Sequence, residues 1–550
     1  MKMGRLVVLF LFVATCISGK TSSFSQSKAL KSITENDLQR HLEFIASEEF
    51  RGRETPSAEL EICNLYLAQE AEKYGLLPLM PDGSFFQTIP VNVTTVSEAR
   101  SNLRVITGTG DRNFFFQEDF GGSFRNSGTY SGGVVFAGYG LDAADQGWDD
   151  YGTIDCTGKV VIMLDGELPD NHKLKDKAGS RGRNSRSYAP YYKGAAAVLT
   201  VISRKRQNDL RSGKNIFYST PRGRMAVSFE SQRSARYSSG QTSQTEEPQR
   251  PPLPFGQAEI SHETAMEILG VSGNELNRMF GMIESGRQVP GRDIPGKRIE
   301  LSINTKTHSG YTRSVLALAE GSDPKLKNEY IVICAHQDHL GISRGEIISG
   351  ADDNGSGTVA LLEIAQALTI EKPKRSVILA WFTGEERGYM GSQYFLNNCP
   401  VPVENISACL NMDMLCRNDP DSLFLVASDL LSSELDGTIH KMNKKHKIDF
   451  GFSYLYSNRT HPQRVYYRSD QYPHIRFGIP SVWFFCGFTP DYHTPRDILE
   501  FVDYNKMLKV TKLVYLTAFE IGNMKDLLKL DVNPDVTKRG KHNINVESIR

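Results

Sequence analysis

Two histidines and several carboxylates follow apolar, strand-like runs in the second half of this chain. The run 331–334 is apolar and leads directly into AHQDH, which contains His336, Asp338 and His339. An acidic, glycine-rich turn containing Asp353 comes next and precedes a helical pattern. Imidazole and carboxylate groups are the usual protein ligands of catalytic zinc, so these residue types indicate metal-ion chemistry.

Three later apolar runs end in the same way. Residues 376–382 lead to Glu385 and Glu386, residues 407–411 lead to Asp413, and residues 481–485 lead to His493. Because open α/β sheets bind ligands at the carboxyl ends of their strands, we expect these side chains to meet at one edge of a sheet. Such a set could hold two zinc ions that share a carboxylate, with one further glutamate as general base.

The motifs AHQDH, GADDNGSG, TGEERGYMGS, NMDM and DYHTPRD resemble, in this order, those of the co-catalytic zinc aminopeptidase family, which includes bacterial leucyl aminopeptidases. The resemblance covers most of residues 291–524. It implies two Zn²⁺ per chain, and it assigns the ligands as follows: His336 and Asp413 to one zinc, Glu386 and His493 to the other, and Asp353 as the bridge between them.

The resemblance also assigns the catalytic groups. Glu385 would take a proton from a zinc-bridging water and deliver it to the leaving amine, which is general base and acid catalysis. Asp338 would accept a hydrogen bond from the second ring nitrogen of His336 and so orient this ligand. We expect His339 to support the site without binding metal, or to lie at the surface.

The expected fold is α/β, with a mixed, mostly parallel sheet flanked by helices. Between the two parts of the peptidase domain, short strands and glycine turns predict a β-rich insert whose GYG, WDDYGTIDCTGKVVIM and KGAAAVL segments resemble a protease-associated domain. We expect strand-like residues 298–304 to rejoin the main sheet and residues 207–254 to form polar loops on the insert.

The predicted units are a signal peptide (1–25), the amino-terminal part of the peptidase domain (28–100), the insert (101–290), the zinc peptidase domain (291–525) and a weakly ordered polar tail (526–550).

The amino terminus predicts export. Lys2 and Arg5 precede the apolar run 6–13, and small and polar residues follow, as in a secretory signal peptide. The protein would then be periplasmic or secreted, and a lipid anchor on Cys16 is the alternative. No later run is long and apolar enough to span a membrane.

The remaining seven cysteines do not have the spacing of a disulfide framework, although one pair such as Cys399 with Cys409 is compatible with the sequence.

We therefore predict an exported zinc exopeptidase, an aminopeptidase that acts on peptide substrates. The formal net charge is zero, so composition does not indicate a nucleic acid partner. Three alternatives stay open on the same scaffold. A glutaminyl cyclase would use one zinc, a carboxypeptidase would need a cationic pocket such as Arg464 and Arg468 could form, and a receptor-like relative would have lost its catalysis.

Overall fold

A computed structural model describes most of the chain. The described residues are 28–122, 124, 126–178, 186, 188–212, 225–230, 255–343, 346–461, 463–533 and 535–540. The predicted signal peptide and Cys16 lie outside them. Within these ranges, no helix combines the length and the apolar character needed to cross a bilayer.

The larger of two main sheets is mixed, as expected. Its central strands run parallel, and antiparallel strands lie on both sides. From one edge to the other, the order is Met225–Phe229, Phe86–Val96, Thr305–Ala319, Ser376–Phe382, Tyr330–His336, Ile406–Met412, Ser481–Phe485, Ser422–Val426 and Gly451–Ser453, with Leu77–Pro78 paired to Thr305–Ala319.

The central strands are apolar along their whole length because both faces of the sheet are covered. Ile331 and Ile333 of strand Tyr330–His336 belong to one core cluster, whereas Val332 and Cys334 belong to another. The helices of this domain are Glu35–Ile45, Ala58–Lys73, Gly357–Ile370, Met390–Asn397, Ser433–Lys445, Gln471–Arg476 and Tyr504–Asn523. The first core joins the sheet to the helices Gly357–Ile370 and Tyr504–Asn523, and the second joins it to Met390–Asn397.

The second sheet has eight strands and its own core. Its order is Gly110–Phe115, Asn102–Thr107, Arg292–Ile303, Gly128–Phe136, Val160–Leu164, Ala197–Val201, Gly256–Ile260 and Phe120–Gly121. The helices of this region are Lys175–Ala178, Ala189–Tyr192, Arg204–Arg211, His262–Leu269 and Gly273–Glu284. Two small hairpins complete the strands: Asp142–Ala143 with Trp148–Asp149, and Gly341–Ser343 with Glu346–Ile348.

The return from the second sheet to the first occurs later than expected. Strand Arg292–Ile303 pairs with Asn102–Thr107 and Gly128–Phe136, and it buries Ile299 and Leu301 in the second core. The chain rejoins the larger sheet only at Thr305–Ala319. The expectation that residues 298–304 belong to the main sheet was wrong, because a strand's alternation does not specify which sheet supplies its partners.

Two polar segments contain more structure than we expected. Strand Met225–Phe229, within the region predicted as loops, pairs with Phe86–Val96 of the larger sheet, and most of residues 207–254 lie outside the described part. In the tail, Leu528 is 1% exposed, and its backbone N–H donates to Ser407 Oγ at 3.1 Å. A few apolar residues therefore hold a mainly polar segment against the domain.

Candidate metal and catalytic site

Four of the predicted site residues lie at the carboxyl ends of neighbouring parallel strands. His336 ends strand Tyr330–His336 and is in register with Phe382, the last residue of the neighbouring strand. Glu386 follows Phe382 in the next loop and therefore lies close to His336. Asp413 comes directly after Ile406–Met412, whose Met412 is in register with Phe484. His493 lies in the loop that follows Ser481–Phe485. The strand register therefore brings together residues that are up to 157 positions apart, from His336 to His493.

The fifth predicted ligand lies in the acidic turn before helix Gly357–Ile370. Gly350 opens this turn in the left-handed region, with φ 62°, and Asp353 has non-helical dihedral angles. The Asp497 carboxylate accepts hydrogen bonds from the backbone N–H groups of Asp352 at 2.8 Å and Asp353 at 3.0 Å. These bonds hold the turn so that the Asp353 side chain is directed toward the strand ends.

The five predicted ligands form two groups that share Asp353. In the first group, His336 Nε2 lies 3.3 Å from Asp353 Oδ1 and 3.5 Å from Asp413 Oδ1. In the second, His493 Nε2 lies 3.1 Å from Asp353 Oδ2 and 3.2 Å from Glu386 Oε1. Each carboxylate oxygen of Asp353 therefore faces a different group, which is the arrangement of a bridging ligand.

These donors fit zinc. Tetrahedral ligands at 2.0–2.1 Å from a zinc ion lie roughly 3.3 Å from one another, close to the observed separations. Asp413 Oδ1 and His493 Nε2 are buried, and neither has a hydrogen-bond partner among the described residues. Burial lowers the pKa of His493, but the carboxylates of Glu386 and Asp353 outweigh it and raise the pKa of His493 to about 11. The cluster thus favours a positive charge at its centre.

Glu385 is placed differently from its neighbour Glu386. The Glu386 carboxylate lies between two imidazoles, whereas Glu385 pairs with no basic side chain in the described part of the chain. The backbone N–H of Glu385 donates to Asp338 Oδ1 at 3.2 Å. Burial raises the pKa of the Glu385 carboxyl well above its ordinary value, and the negative charge of Glu386 adds to this shift. Such a carboxyl is suited to proton transfer.

Asp338 contacts His336 differently from the prediction. His336 Nδ1 lies 3.0 Å from the backbone oxygen of Asp338, while the Asp338 carboxylate is 3.7 Å away. That carboxylate instead accepts hydrogen bonds from the Glu385 backbone and from Thr55 Oγ1, the latter at 2.9 Å. The main chain of Asp338 therefore orients His336, and its side chain holds the segment that contains the proposed base.

His339 is not at the surface. Its side chain is fully buried, and Nδ1 lies 3.1 Å from Glu386 Oε1. The sequence predicts only a supporting or surface role for this residue, because a histidine three positions after a predicted ligand has no spacing that identifies its own role.

Three further residues that support the site were not identified from the sequence. Arg53 donates hydrogen bonds to the backbone oxygens of Gln337 and Gly350, beside both ligand-bearing loops. Thr55 contacts Asp338 as described above, and Ser469 Oγ donates to Asp413 Oδ2 at 2.5 Å. The first two lie in the segment FRGRETP, and their partners Gln337 and Asp338 are more than 280 positions away, so no local pattern indicates their role.

The sequence is similar to known peptidases over the region that contains the five predicted ligands. Residues 314–518 match the model of peptidase family M28. Leucine aminopeptidase 1 from Sclerotinia sclerotiorum is 28% identical over 238 residues, which are 40% of this chain and 58% of the relative. The corresponding protein from Ajellomyces dermatitidis is 29% identical over 223 residues, 38% of this chain and 56% of the relative. This chain thus spans less than two thirds of the length of these relatives.

Two solved structures share the fold over nearly the whole chain. An aminopeptidase from Aneurinibacillus sp. strain AM-1 superposes with a TM-score of 0.54 at 15% identity, covering 92% of this chain and 98% of that protein. BSAP, a zinc aminopeptidase from Bacillus subtilis, gives a TM-score of 0.53 at 16% identity and covers 92% and 99%. At these identities, the agreement concerns the fold alone.

Proposed function

Because residues 314–518 match the model of peptidase family M28, we propose that this chain belongs to that family and is a zinc-dependent aminopeptidase that removes amino-terminal residues from peptides. The observation that carries this proposal is the pair of donor groups joined by Asp353, with Glu385 beside them. His336, Asp353 and Asp413 would hold one zinc, and Asp353, Glu386 and His493 the other. When bound, two zinc ions polarise a peptide carbonyl and lower the pKa of water.

Glu385 carries the proton in this proposal. Its carboxylate accepts a proton from the attacking water and passes it to the nitrogen of the leaving amine. The hydrogen bond from the Glu385 backbone to Asp338 fixes the start of this segment, and Thr55 fixes Asp338 in turn. Proton transfer of this kind contributes typically ~10²- to 10⁴-fold to the rate.

An aromatic cluster beside His493 supports an apolar substrate side chain. The Tyr492 ring stacks on His493 with centroids 3.7 Å apart, and Phe488 packs on Tyr492 at 4.9 Å. A cavity of about 240 Å³ adjoins Phe488; Phe424 and Tyr456 form its aromatic side, and Asp419 and Lys506 its charged side. The matched fungal relatives are named leucine aminopeptidases, and an apolar preference is what we propose for this chain too.

The decisive assay compares aminoacyl p-nitroanilides with amino-blocked peptides and amino-terminal glutamine peptides. We expect hydrolysis of unblocked substrates, loss of activity with a chelator and recovery with zinc, at two zinc ions per chain. Cleavage of amino-blocked peptides would indicate a carboxypeptidase instead. Pyroglutamate formation with a single zinc would indicate a glutaminyl cyclase, and absence of stoichiometric zinc a receptor-like relative.

The base assignment has its own test. Glu385→Gln keeps the shape of the side chain but cannot carry the proton, so turnover should fall by at least about 100-fold while zinc content stays at the wild-type value. A variant with the full rate would remove Glu385 from the mechanism. Asp338→Asn serves as comparison, because it should disturb the orientation of the segment without removing the base.

Export and the domain division also remain proposals. The chemistry above requires neither, but residues 1–25 have the pattern of a signal peptide, and the second sheet carries the GYG and KGAAAVL segments that resemble a protease-associated domain. Lipid attachment at Cys16 is the alternative form of export. Mass determination of the mature protein, with amino-terminal sequencing, distinguishes cleavage from lipid attachment.

A further inference from the structure

His339 is buried beside the second donor group without an evident structural role. Nδ1 lies 3.1 Å from Glu386 Oε1 and 3.8 Å from Asp353 Oδ2. Apart from this ion pair with Glu386, neither ring nitrogen of His339 has a hydrogen-bond partner within the described residues. Burying a polar group without such a partner costs about 1–3 kcal/mol, so a fully enclosed imidazole in this state needs an explanation.

The ring of His339 is held in place by backbone contacts. The backbone N–H of His339 donates to the backbone oxygen of Arg53 at 3.1 Å, and the residue forms a β-bridge with Glu54. The ring packs against Gly350: a Cβ atom on this glycine would lie 2.5 Å from His339 Cγ and Cδ2. Only glycine therefore permits this ring position, which directs Nδ1 toward Glu386.

We propose that His339 supplies an additional nitrogen ligand to the zinc held by Asp353, Glu386 and His493. This inference rests on the proposed two-zinc function. Nδ1 of His339 and single carboxylate oxygens of Asp353 and Glu386 all lie within 4.8 Å of one another, so these three residues can hold a cation without His493. The second zinc would have four protein ligands, whereas the first has three.

The two histidines of this zinc would then differ in function. His339 is fully buried between a β-bridge and Gly350, whereas the His493 side chain is 33% exposed and lies in a loop. We infer that His339 retains the zinc when His493 is absent, and that His493 forms the side of the site that faces the substrate. Each histidine alone should keep the second zinc bound, and removal of both should release it.

The experiment compares the full-length wild type with His339→Ala, His493→Ala and the double variant. Zinc per chain is measured by elemental analysis after gel filtration, and zinc affinity by competition with a chelator. We expect each single variant to bind two zinc ions, the second about 10- to 100-fold more weakly than in the wild type, and the double variant to retain one. The cobalt-substituted His339→Ala enzyme, measured at saturating cobalt, should show an altered visible spectrum because a nitrogen ligand is lost.

Two controls make the result interpretable. His262→Gln removes a buried histidine from the other core, where Nε2 lies 2.8 Å from the backbone oxygen of Ile202, and should change neither zinc affinity nor spectrum. His339→Gln keeps most of the side-chain volume and replaces His339→Ala if the alanine variant does not fold.

Two results would overturn the inference: a His339 variant with wild-type zinc affinity and cobalt spectrum, or complete loss of the second zinc in His493→Ala alone. A wild-type protein that binds fewer than two zinc ions would overturn both this inference and the proposed function. A wild-type protein that binds two zinc ions but does not cleave aminoacyl substrates would overturn only the function, since the metal measurements still decide the role of His339.

Discussion

Asp497 holds Asp353, the proposed bridging residue, through the Asp353 main chain and not through its side chain. Its Oδ2 atom accepts the Asp353 N–H at 3.0 Å, and its Oδ1 atom accepts the Asp352 N–H at 2.8 Å. Both carboxylate oxygens are thus used to shape the turn between the two donor groups. The Asp353 side chain is left available to face both groups.

Replacing Asp497 with alanine should weaken metal binding. Both N–H groups would lose their acceptor, and the turn would no longer fix Asp353 between the donor groups. We expect zinc affinity to fall about 10- to 100-fold, as is usual when a group that supports a metal ligand is removed. Chelator competition measures this change. Asp497→Asn keeps one acceptor and should lie between alanine and wild type, and equal affinities in all three proteins would contradict this role.

Thr55→Val should slow catalysis more than it alters metal content. The substitution keeps the shape of the side chain but removes the hydroxyl that donates to Asp338 Oδ2 at 2.9 Å. A buried carboxylate that loses a hydrogen bond costs about 1.5–3 kcal/mol of stability, and Asp338 would hold the Glu385 segment less well. Urea unfolding and steady-state kinetics with a p-nitroanilide measure the two effects. Wild-type kcat in a measurably destabilised variant would show that Thr55 acts only on stability.

Arg53→Met should strongly destabilise the fold. The guanidinium donates to the backbone oxygens of Ile45, Ser349, Gly350 and Gln337 at 2.7–3.0 Å. Methionine would remove all four hydrogen bonds from buried acceptors, so we expect a loss of roughly 3–5 kcal/mol in the free energy of unfolding.

The neighbouring Arg51 provides the matched control for this variant. Its side chain is 58% exposed and pairs with Glu59 at 3.6 Å. Surface pairs of this kind contribute about 0–1 kcal/mol, so Arg51→Met should change stability little. Chemical denaturation of both variants, with zinc in excess, tests the difference, and equal stabilities would show that burial of Arg53 has no energetic consequence.

The larger sheet and four of the proposed ligand positions could be predicted because each of these four residues follows its own strand. A buried strand appears in the sequence as an apolar run, and parallel strands end at the same edge of a sheet. His336, Asp413 and His493 could therefore be placed together from the sequence alone. The structure does bring them together. The fold class was confirmed for the same reason, since the alternation of such runs with helical patterns is local information.

The contacts that support the ligands could not be predicted in this way. Arg53 reaches Gly350 across 297 positions, and no periodicity relates the two. The burial of His339 depends on how closely Gly350 approaches it, which is a tertiary contact. The prediction that residues 298–304 belong to the main sheet was wrong for a similar reason. Strand Arg292–Ile303 pairs within the second sheet, and the partners of a strand depend on the complete fold.

Glu363 should make stability fall as pH rises toward 8. It is buried beside His41 at 3.9 Å, and burial raises the pKa of Glu363 to about 8 while lowering the pKa of His41 to about 4. His41 is neutral in the folded chain above pH 6.5, and the proton that it still loses in the unfolded chain affects the wild type and Glu363→Gln equally. Glu363 is protonated only in the folded chain over this range, so each pH unit costs about 1.4 kcal/mol. Urea unfolding of the wild type should therefore show a loss on the order of 2 kcal/mol between pH 6.5 and 8, relative to Glu363→Gln. Parallel curves for the two proteins would mean that Glu363 is already ionised in the fold.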